Sequence, residues 1–356
     1  MPETSLCIKI KKRHGEKALA LTNKLGITDR ELKIHQDTEH ICVPLVRQPE
    51  ENELVKLKAQ IPDFELVTDV FTKKKQQRKT LIEFLENQLP LHLLDNLPKA
   101  LDVIGDIAII EIPANLKAYE SLIGESILAT HKNIRTVLAK VGAVSGTYRL
   151  RDFEIIAGER RISTIHKEYG CQYHVDVAKA YFSPRLSHEH NRIASLVRKD
   201  ETVVDLFAGV GPFSVLIAKN NPSAKVYAVD INPVAVELLK RNIRLNRVEN
   251  RVKPIQGDAR KTVEKRLLGV SDRVIMNLPE KASEFIDAAC KAVKSTGGTV
   301  HHYAFVRLPD SVENLKPRFS EAVEKTGRKV DGFLLTKSIR ETAPYEQQVV
   351  LDAKIL

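Results

Sequence analysis

From about Ala178 onward the chain alternates strand-like and helix-like segments, and this alternation constrains the fold more than any other feature. "TVVDLFAG" reads as a strand and "PFSVLIAKN" as a helix. "KVYAVDI" is again a strand and "PVAVELLKRNIRLN" a helix. "RVKPIQGD" and "DRVIMNL" are strands, "SEFIDAACKAVK" a helix and "GGTVHHYAFV" a strand. "VENLKPRFSEAVEKTG" reads as a helix interrupted at Pro317, and two extended segments close the chain. Strands separated by helices pair in parallel through crossovers. The fold class expected for residues 178–356 is therefore α/β, a doubly wound sheet of mostly parallel strands.

The preceding residues lack this regularity. Residues 1–70 read as a small α+β domain: an alternating strand in "LCIKIKKRHG", a helix "EKALALTNKLG" closed by Gly26, and short strands in "ELKIH" and "HICVPLV". A helix "EENELVKLKAQI" and an extended "FELVTDV" follow. The polar, basic stretch 71–80, "FTKKKQQRKT", reads as a linker or the start of a linking helix. Residues 81–177 read as a second α+β domain, with a line of arginines at Arg135, Arg149, Arg151, Arg160 and Arg161. No internal repeat or low-complexity tract is evident.

Four successive strands of the C-terminal domain deliver polar residues to one sheet edge. "VVDLFAGVGPF" ends its strand at Asp205, and Gly209 and Gly211 let the backbone turn tightly and approach a ligand. Asp230 ends the next strand, where an acid is placed to accept from a ribose diol. Asp258 ends the third strand and Asn277 the fourth. An Asp after a strand is also a common helix N-cap, and Asp258 fits either use. A dinucleotide would need its pyrophosphate on a glycine-rich helix N-terminus, but Pro212 and Phe213 occupy that turn. Asp205 would repel phosphate and suits a cationic amino-acid group. These features fit S-adenosylmethionine, which has an ammonium, a sulfonium and a ribose diol but no phosphate.

Charge points to the other partner. Lys and Arg number 56 against 46 Asp and Glu, a net charge of +10 that favours a polyanion, nucleic acid before an acidic membrane. Cys7, Cys42, Cys171 and Cys290 show no CxxC or Cys/His spacing, so a reduced, cytoplasmic protein with no metal is expected. No apolar run approaches membrane-spanning length. No self-complementary apolar face is evident, so a monomer without a protein partner is expected.

The loop "DLFAGVGPF" resembles the first motif of class I methyltransferases, which implies a Rossmann-like sheet. "YFSPRLSHEHNRI", "YRLRDFEIIAGERR", "TIHKEYG", "FAGVGPFS" and "NLPE" together resemble the archaeal and eukaryotic type of tRNA (guanosine-37 N1) methyltransferase. The likeness covers nearly the whole chain. It is closest to the archaeal branch with a separate N-terminal tRNA-recognition domain. It implies methyl transfer from S-adenosylmethionine to N1 of guanosine 37, with Glu189 as general base and Arg149 stabilising O6. Tyr181, Arg185 and Asn277 are implied to bind substrate. Asp205, Gly209, Gly211, Asp230, Ile231, Asp258, Ala259, Asn277 and His190 are implied to bind cofactor. His190 departs from the family, which often carries an arginine there. The likeness also implies contacts with the anticodon loop and, through the N-terminal domain, with the outer corner of the tRNA.

Without the likeness the same residues read more plainly. Glu189 is then a solvated helix residue or a partner of Arg192. Arg149 and Arg151 form a strand face that meets phosphates, His166 is a packed histidine, and Lys73, Lys74 and Lys75 are a solvated charge run. Two other functions stay open. One is a wyosine-pathway paralogue acting on the same nucleotide, by methylating the tricyclic intermediate or by aminocarboxypropyl transfer. The other is a non-catalytic tRNA-binding protein. "NLPE" lacks the stacking aromatic of the Asn/Asp-Pro-Pro-aromatic motif used on exocyclic amines. That absence favours a ring nitrogen as target.

Overall fold

A computed structural model describes residues 2–74, 80–98 and 100–356. The chain divides into two compact units, Met1–Thr80 and Leu81–Leu356.

The first unit is a four-stranded antiparallel sheet in the order β2-β3-β1-β4, with β1 Pro2–Lys11, β2 His35–Gln36, β3 His40–Pro44 and β4 Phe64–Thr72. Helices α1 (Gly15–Lys24) and α2 (Glu51–Gln60) cover one face, burying Ile8, Ile10 and Val43 with Ala18 and Leu57. A capping box starts α2: the Glu50 side chain accepts from the Glu53 backbone, and Glu53 accepts from the Glu50 N–H at 2.8 Å. The linker expected at 71–80 begins later than the sequence suggested. Phe71 is fully buried and, with Thr72, completes β4, where its ring packs on Cys7 and Leu32. Lys73 is no free charge, because it pairs with Glu3 at 3.0 Å. Residues 75–79, including Lys75, lie outside the described residues.

The second unit opens with short helices α3 (Leu81–Leu85) and α4 (Leu91–Leu94) and a sheet of order β5-β6-β7-β8. Its strands are β5 Asp102–Ile104, β6 Ile107–Ile110, β7 Thr136–Ser145 and β8 Leu150–Gly158. Helix α5 (Glu120–Thr130) forms the crossover between the parallel pair β6 and β7. A hairpin, β9 (Ser163–Glu168) and β10 (Cys171–Asp176), leads to α6 (Ser187–Leu196).

The third sheet has seven strands in the order β13-β12-β11-β14-β15-β17-β16. They are β11 Thr202–Asp205, β12 Lys225–Asp230, β13 Val252–Gln256, β14 Arg273–Met276, β15 Gly298–Arg307, β16 Val330–Ala343 and β17 Glu346–Ile355. The first five in that order are parallel, and β17 runs antiparallel to both its neighbours, β15 and β16. Helices α7 (Pro212–Asn220), α8 (Pro233–Leu245), α9 (Ala259–Arg266), α10 (Ile286–Ala292) and α11 (Val312–Glu324) cover it. The expected break at Pro317 is absent, since α11 runs through it. Pro317 lies inside α11, where its missing N–H removes one bond while the helix continues on both sides.

The boundary expected between residues 177 and 178 falls inside this unit. Ile104, Ile107, Ile109 and Leu138 of the smaller sheet share one apolar cluster with Tyr173, Val203, Phe213 and Leu239. Two buried asparagines four residues apart, Asn242 in α8 and Asn246 at its C-cap, also dock β10. Asn242 exchanges hydrogen bonds of 2.6 and 3.1 Å with the His174 backbone. Asn246 does the same with Gln172 at 2.9 and 2.7 Å.

Candidate active site

Strand order reverses between β11 and β14, and at such a switch point the loops leaving the carboxyl ends diverge and leave a crevice. A pocket lies there. It is lined by Leu206, Phe207 and Gly209 after β11, Asp230 and Ile231 after β12, Asp258 and Ala259 after β13, and Asn277 and Leu278 after β14. The β7–β8 turn contributes Thr147, Tyr148 and Arg149, and Tyr181 closes the lining.

Asp230 is fixed by its neighbours. It accepts from the Gly209 N–H at 2.7 Å and the Asn232 N–H at 2.8 Å. Burial raises its pKa against these backbone bonds. Its carboxylate keeps lone pairs for further donors, as a ribose diol requires. Phe207 and Phe285 meet edge to face at 5.0 Å, giving the pocket an apolar wall. Asn277 Oδ1 is buried and has no hydrogen-bond partner, so an acceptor faces the pocket unused. An unused amide acceptor, a braced acid and an apolar wall suit a nucleoside carrying a cationic amino acid. Asp258 serves both readings: it lines the pocket and caps α9 by accepting from the Lys261 N–H at 3.0 Å.

Arg149 lies in the turn between β7 and β8, at φ 56°, and not on the strand face the sequence suggested. The Gly146 carbonyl accepts its N–H at 3.1 Å and closes that turn. Its Nη2 is 3.2 Å from Glu280, its guanidinium lies 5.2 Å over the Tyr181 ring, and its Nε is buried without a partner. Arg149 and Tyr181 also line a second, basic cleft with Lys140, Arg151, Arg185 and Arg340. Arg185 is held there by Asp102 at 2.5 Å. Two other arginines of the middle line are paired with acids. Arg161 binds Asp106 through two bonds of 2.9 and 2.6 Å, and Arg135 pairs with Glu159 at 3.4 Å.

Four expected site residues line neither the pocket nor the basic cleft. Gly211 caps α7 at φ 94°, where a Cβ would meet Leu239 Cδ1 at 2.4 Å. It permits the approach of α7 and α8. Asp205 is fully buried beneath the pocket and accepts from Ser214 Oγ at 2.7 Å. Burial pushes its pKa up to about 7. His190 is buried against Phe213, with Nδ1 2.7 Å from Glu168. Glu168 would be raised by burial, but His166 and His190 hold it down at about 2. His166 is packed on Phe182, as the plainer reading expected.

Glu189 is the fourth. Its carboxylate accepts from Arg192 Nε at 3.0 and 2.9 Å and from the Tyr303 hydroxyl at 3.1 Å. Arg192 continues to Asp352 at 2.6 Å, Asp352 to His301 at 2.6 Å, and His301 to Arg273 at 2.7 Å. The partner-of-Arg192 reading describes the observed contact. The pocket-lining carboxylate that pairs with Arg149 is Glu280, which sequence reading passed over. Its only signal was a charge placed three residues after Asn277.

Comparison with known proteins gives three matching family profiles. Residues 164–331 match the TRM5/TYW2 methyltransferase domain, residues 81–161 the TYW2 N-terminal domain, and residues 7–53 the tRNA methyltransferase 5 N-terminal domain. The chain is 37% identical to the tRNA (guanine(37)-N(1))-methyltransferase Trm5b of Pyrococcus abyssi, over 99% of each chain. It is 36% identical to the tRNA 4-demethylwyosine(37)-methyltransferase Taw21 of Saccharolobus solfataricus, over 78% of this chain and 99% of that protein. Among solved structures, one described as the complex of aTrm5 and tRNALeu superposes with a TM-score of 0.74 at 35% identity, covering 99% of this chain and 100% of that one. No helix among the described residues is long and apolar enough to cross a membrane.

Proposed function

The chain belongs to the TRM5/TYW2 methyltransferase family, and on that basis we propose that it methylates N1 of guanosine 37 of tRNA. One observation carries the reading: Arg149 and Tyr181 line both the pocket at the switch point and the basic cleft beside it. A base turned out of an RNA strand lying in the cleft would meet these two residues first.

S-adenosylmethionine, when bound, supplies the methyl group. Asp230 is the acceptor for its ribose, Ile231, Phe207 and Ala259 form the apolar wall for its adenine, and Asn277 offers the free amide oxygen. N1 of guanine carries a proton at neutral pH, and O6 gains charge as that proton leaves. The reaction therefore needs a base and a donor. Arg149 is the donor: its Nε is unpaired, and its position over Tyr181 orients the guanidinium plane. Tyr181 stacks the target base, and Arg185, Arg151 and Arg340 hold phosphates of the anticodon segment. The N-terminal unit contacts the outer corner of the tRNA, and one chain serves one tRNA as a monomer.

For the proton we propose Glu189, following the family likeness. Its carboxylate is held by Arg192, and it reaches the base by releasing the Tyr303 hydroxyl. A second reading is favoured by a specific observation. Glu280 already lies in the pocket beside Arg149, and a carboxylate matches the two donors that guanine presents at N1 and N2. The function is tested by methylating a tRNA transcript with guanosine 37 and a transcript with another base there, then weighing the product nucleoside. A gain of one methyl on guanosine supports the reading. Reaction only with the tricyclic intermediate, or transfer of the heavier aminocarboxypropyl arm, replaces it with a wyosine-pathway activity.

A further inference from the structure

We propose that the N-terminal unit carries a divalent-metal site of the zinc class, formed where Cys7, His35, Cys42 and Asp69 meet on one face of its sheet. The four residues come from four different strands. His35 stands opposite Cys42 in the β2–β3 ladder. Cys42 stands opposite Lys9, two residues from Cys7, and Cys7 stands opposite Val67, two residues from Asp69. Side chains two apart on a strand share a face, so all four point to the side away from α1 and α2.

The edges of the sheet are tied together, which gathers the four groups. Leu32 bridges Lys73, and the Lys33 N–H donates to the Thr72 carbonyl at 2.8 Å. The ligand atoms of His35, Cys42 and Asp69 lie within 4.8 Å of one another. Cys7, fully buried, packs in the same small cluster as Cys42. His35 Nε2 is 3.1 Å from Asp69 Oδ2 but out of line for a hydrogen bond, and it is shut off from water with no other partner. A ring nitrogen and a carboxylate oxygen thus stand together beside the buried thiol of Cys42.

Two sulfurs, one imidazole nitrogen and one carboxylate oxygen are a donor set for tetrahedral zinc. With bonds of roughly 2.0–2.3 Å, donors around such an ion stand roughly 3.3–3.8 Å apart, so His35, Cys42 and Asp69 need to close by about 1 Å, and Cys7, which lies outside that group of three, has further to move. The outer pair, His35 and Asp69, have half-exposed side chains and give an ion its way in, while Cys7 and Cys42 are buried behind them. Without metal both sulfurs are thiols, and burial pushes the Cys7 pKa up to about 12. Binding a divalent ion to two thiols, a neutral imidazole and a carboxylate releases two protons to solvent. The site is left with one negative charge, close to Lys9. A small unit with few buried residues gains most from such a staple. The chain order Cys7, His35, Cys42, Asp69 has none of the short spacings that mark a metal motif, so sequence reading expected no metal.

The test uses the full chain, stripped with a chelator and titrated with Co²⁺ and then Zn²⁺. Sulfur-to-cobalt charge-transfer and tetrahedral ligand-field bands should appear, saturate at one ion per chain and vanish as Zn²⁺ displaces cobalt. Zn²⁺ alone should raise the melting temperature. Cys42→Ser and Asp69→Asn should each weaken Zn²⁺ binding tenfold or more, and Asp69→Asn, half-exposed, leaves the fold measurable by circular dichroism. Absence of the charge-transfer band, or an affinity unchanged in either variant, overturns the proposal. Neither readout depends on methyl transfer, so its failure leaves the proposed function untouched.

Discussion

Arg149 and Glu280 form an ion pair, 3.2 Å between Nη2 and the carboxylate, that joins the β7–β8 turn to the loop after β14 across the pocket. The pair holds the guanidinium over Tyr181, and on the proposed function an entering guanine would replace Glu280 on Arg149 with its own O6. Arg149→Ala should lower the single-turnover rate of methyl transfer by about 10²–10³-fold, the scale expected for losing a donor to developing negative charge. Affinity for S-adenosylmethionine, measured by calorimetry, should change little. A comparable loss of cofactor affinity would assign Arg149 to cofactor binding instead.

The two candidate bases separate by substitution. Glu189→Gln should slow single-turnover methyl transfer by about 10²-fold or more and leave tRNA binding near the parent value. The substitution also places an amide against Arg192, so a melting curve must accompany the rates. If Glu189→Gln keeps the parent rate while Glu280→Gln loses it and shifts the pH–rate profile, the base is Glu280.

Much of the fold was legible because it rests on periodicity. The alternation after Ala178 became the seven-stranded sheet, and four of its strand ends deliver Gly209, Asp230, Asp258 and Asn277 to one pocket. What stayed hidden depends on side chains meeting across long sequence distances. Glu189 turns toward Arg192 and Tyr303, the latter 114 residues away. His190 turns toward Glu168, and Arg161 is consumed by Asp106, 55 residues upstream. No local pattern encodes these pairings. Glu280 was missed for the opposite reason: a charged residue after a proline reads as an ordinary solvated turn.

Gly209 and Gly211 both have positive φ but serve different ends, so alanine at each should give different phenotypes. At Gly211 a Cβ meets Leu239 Cδ1 at 2.4 Å, inside the α7–α8 contact. Gly211→Ala should destabilise the protein by about 1–3 kcal/mol, from backbone strain and displacement of Leu239, as read by denaturant unfolding. At Gly209 the nearest atom is the Tyr181 carbonyl oxygen at 3.5 Å, so the fold tolerates the methyl better. Gly209→Ala should chiefly weaken S-adenosylmethionine binding, because the methyl adds bulk to the pocket wall beside Asp230.

Asp205 should make stability fall with pH in an unusual window. Burial raises its pKa from 3.8 to about 7 in the folded protein, and the hydrogen bond from Ser214 offsets only part of that. Between these values the unfolded chain has lost the proton while the folded chain keeps it. The folded state binds more protons there, and stability drops as pH rises from about 4 to about 7. A shift of this size corresponds to at most about 4 kcal/mol. Asp205→Asn removes the titration and keeps an acceptor for the Ser214 hydroxyl. The variant should lose the part of the pH dependence that Asp205 contributes, and should gain stability relative to the parent on moving from pH 4 to pH 7. Urea midpoints of both proteins across that range measure it. Parallel curves for parent and variant would mean that Asp205 ionises in the folded state much as it does in water.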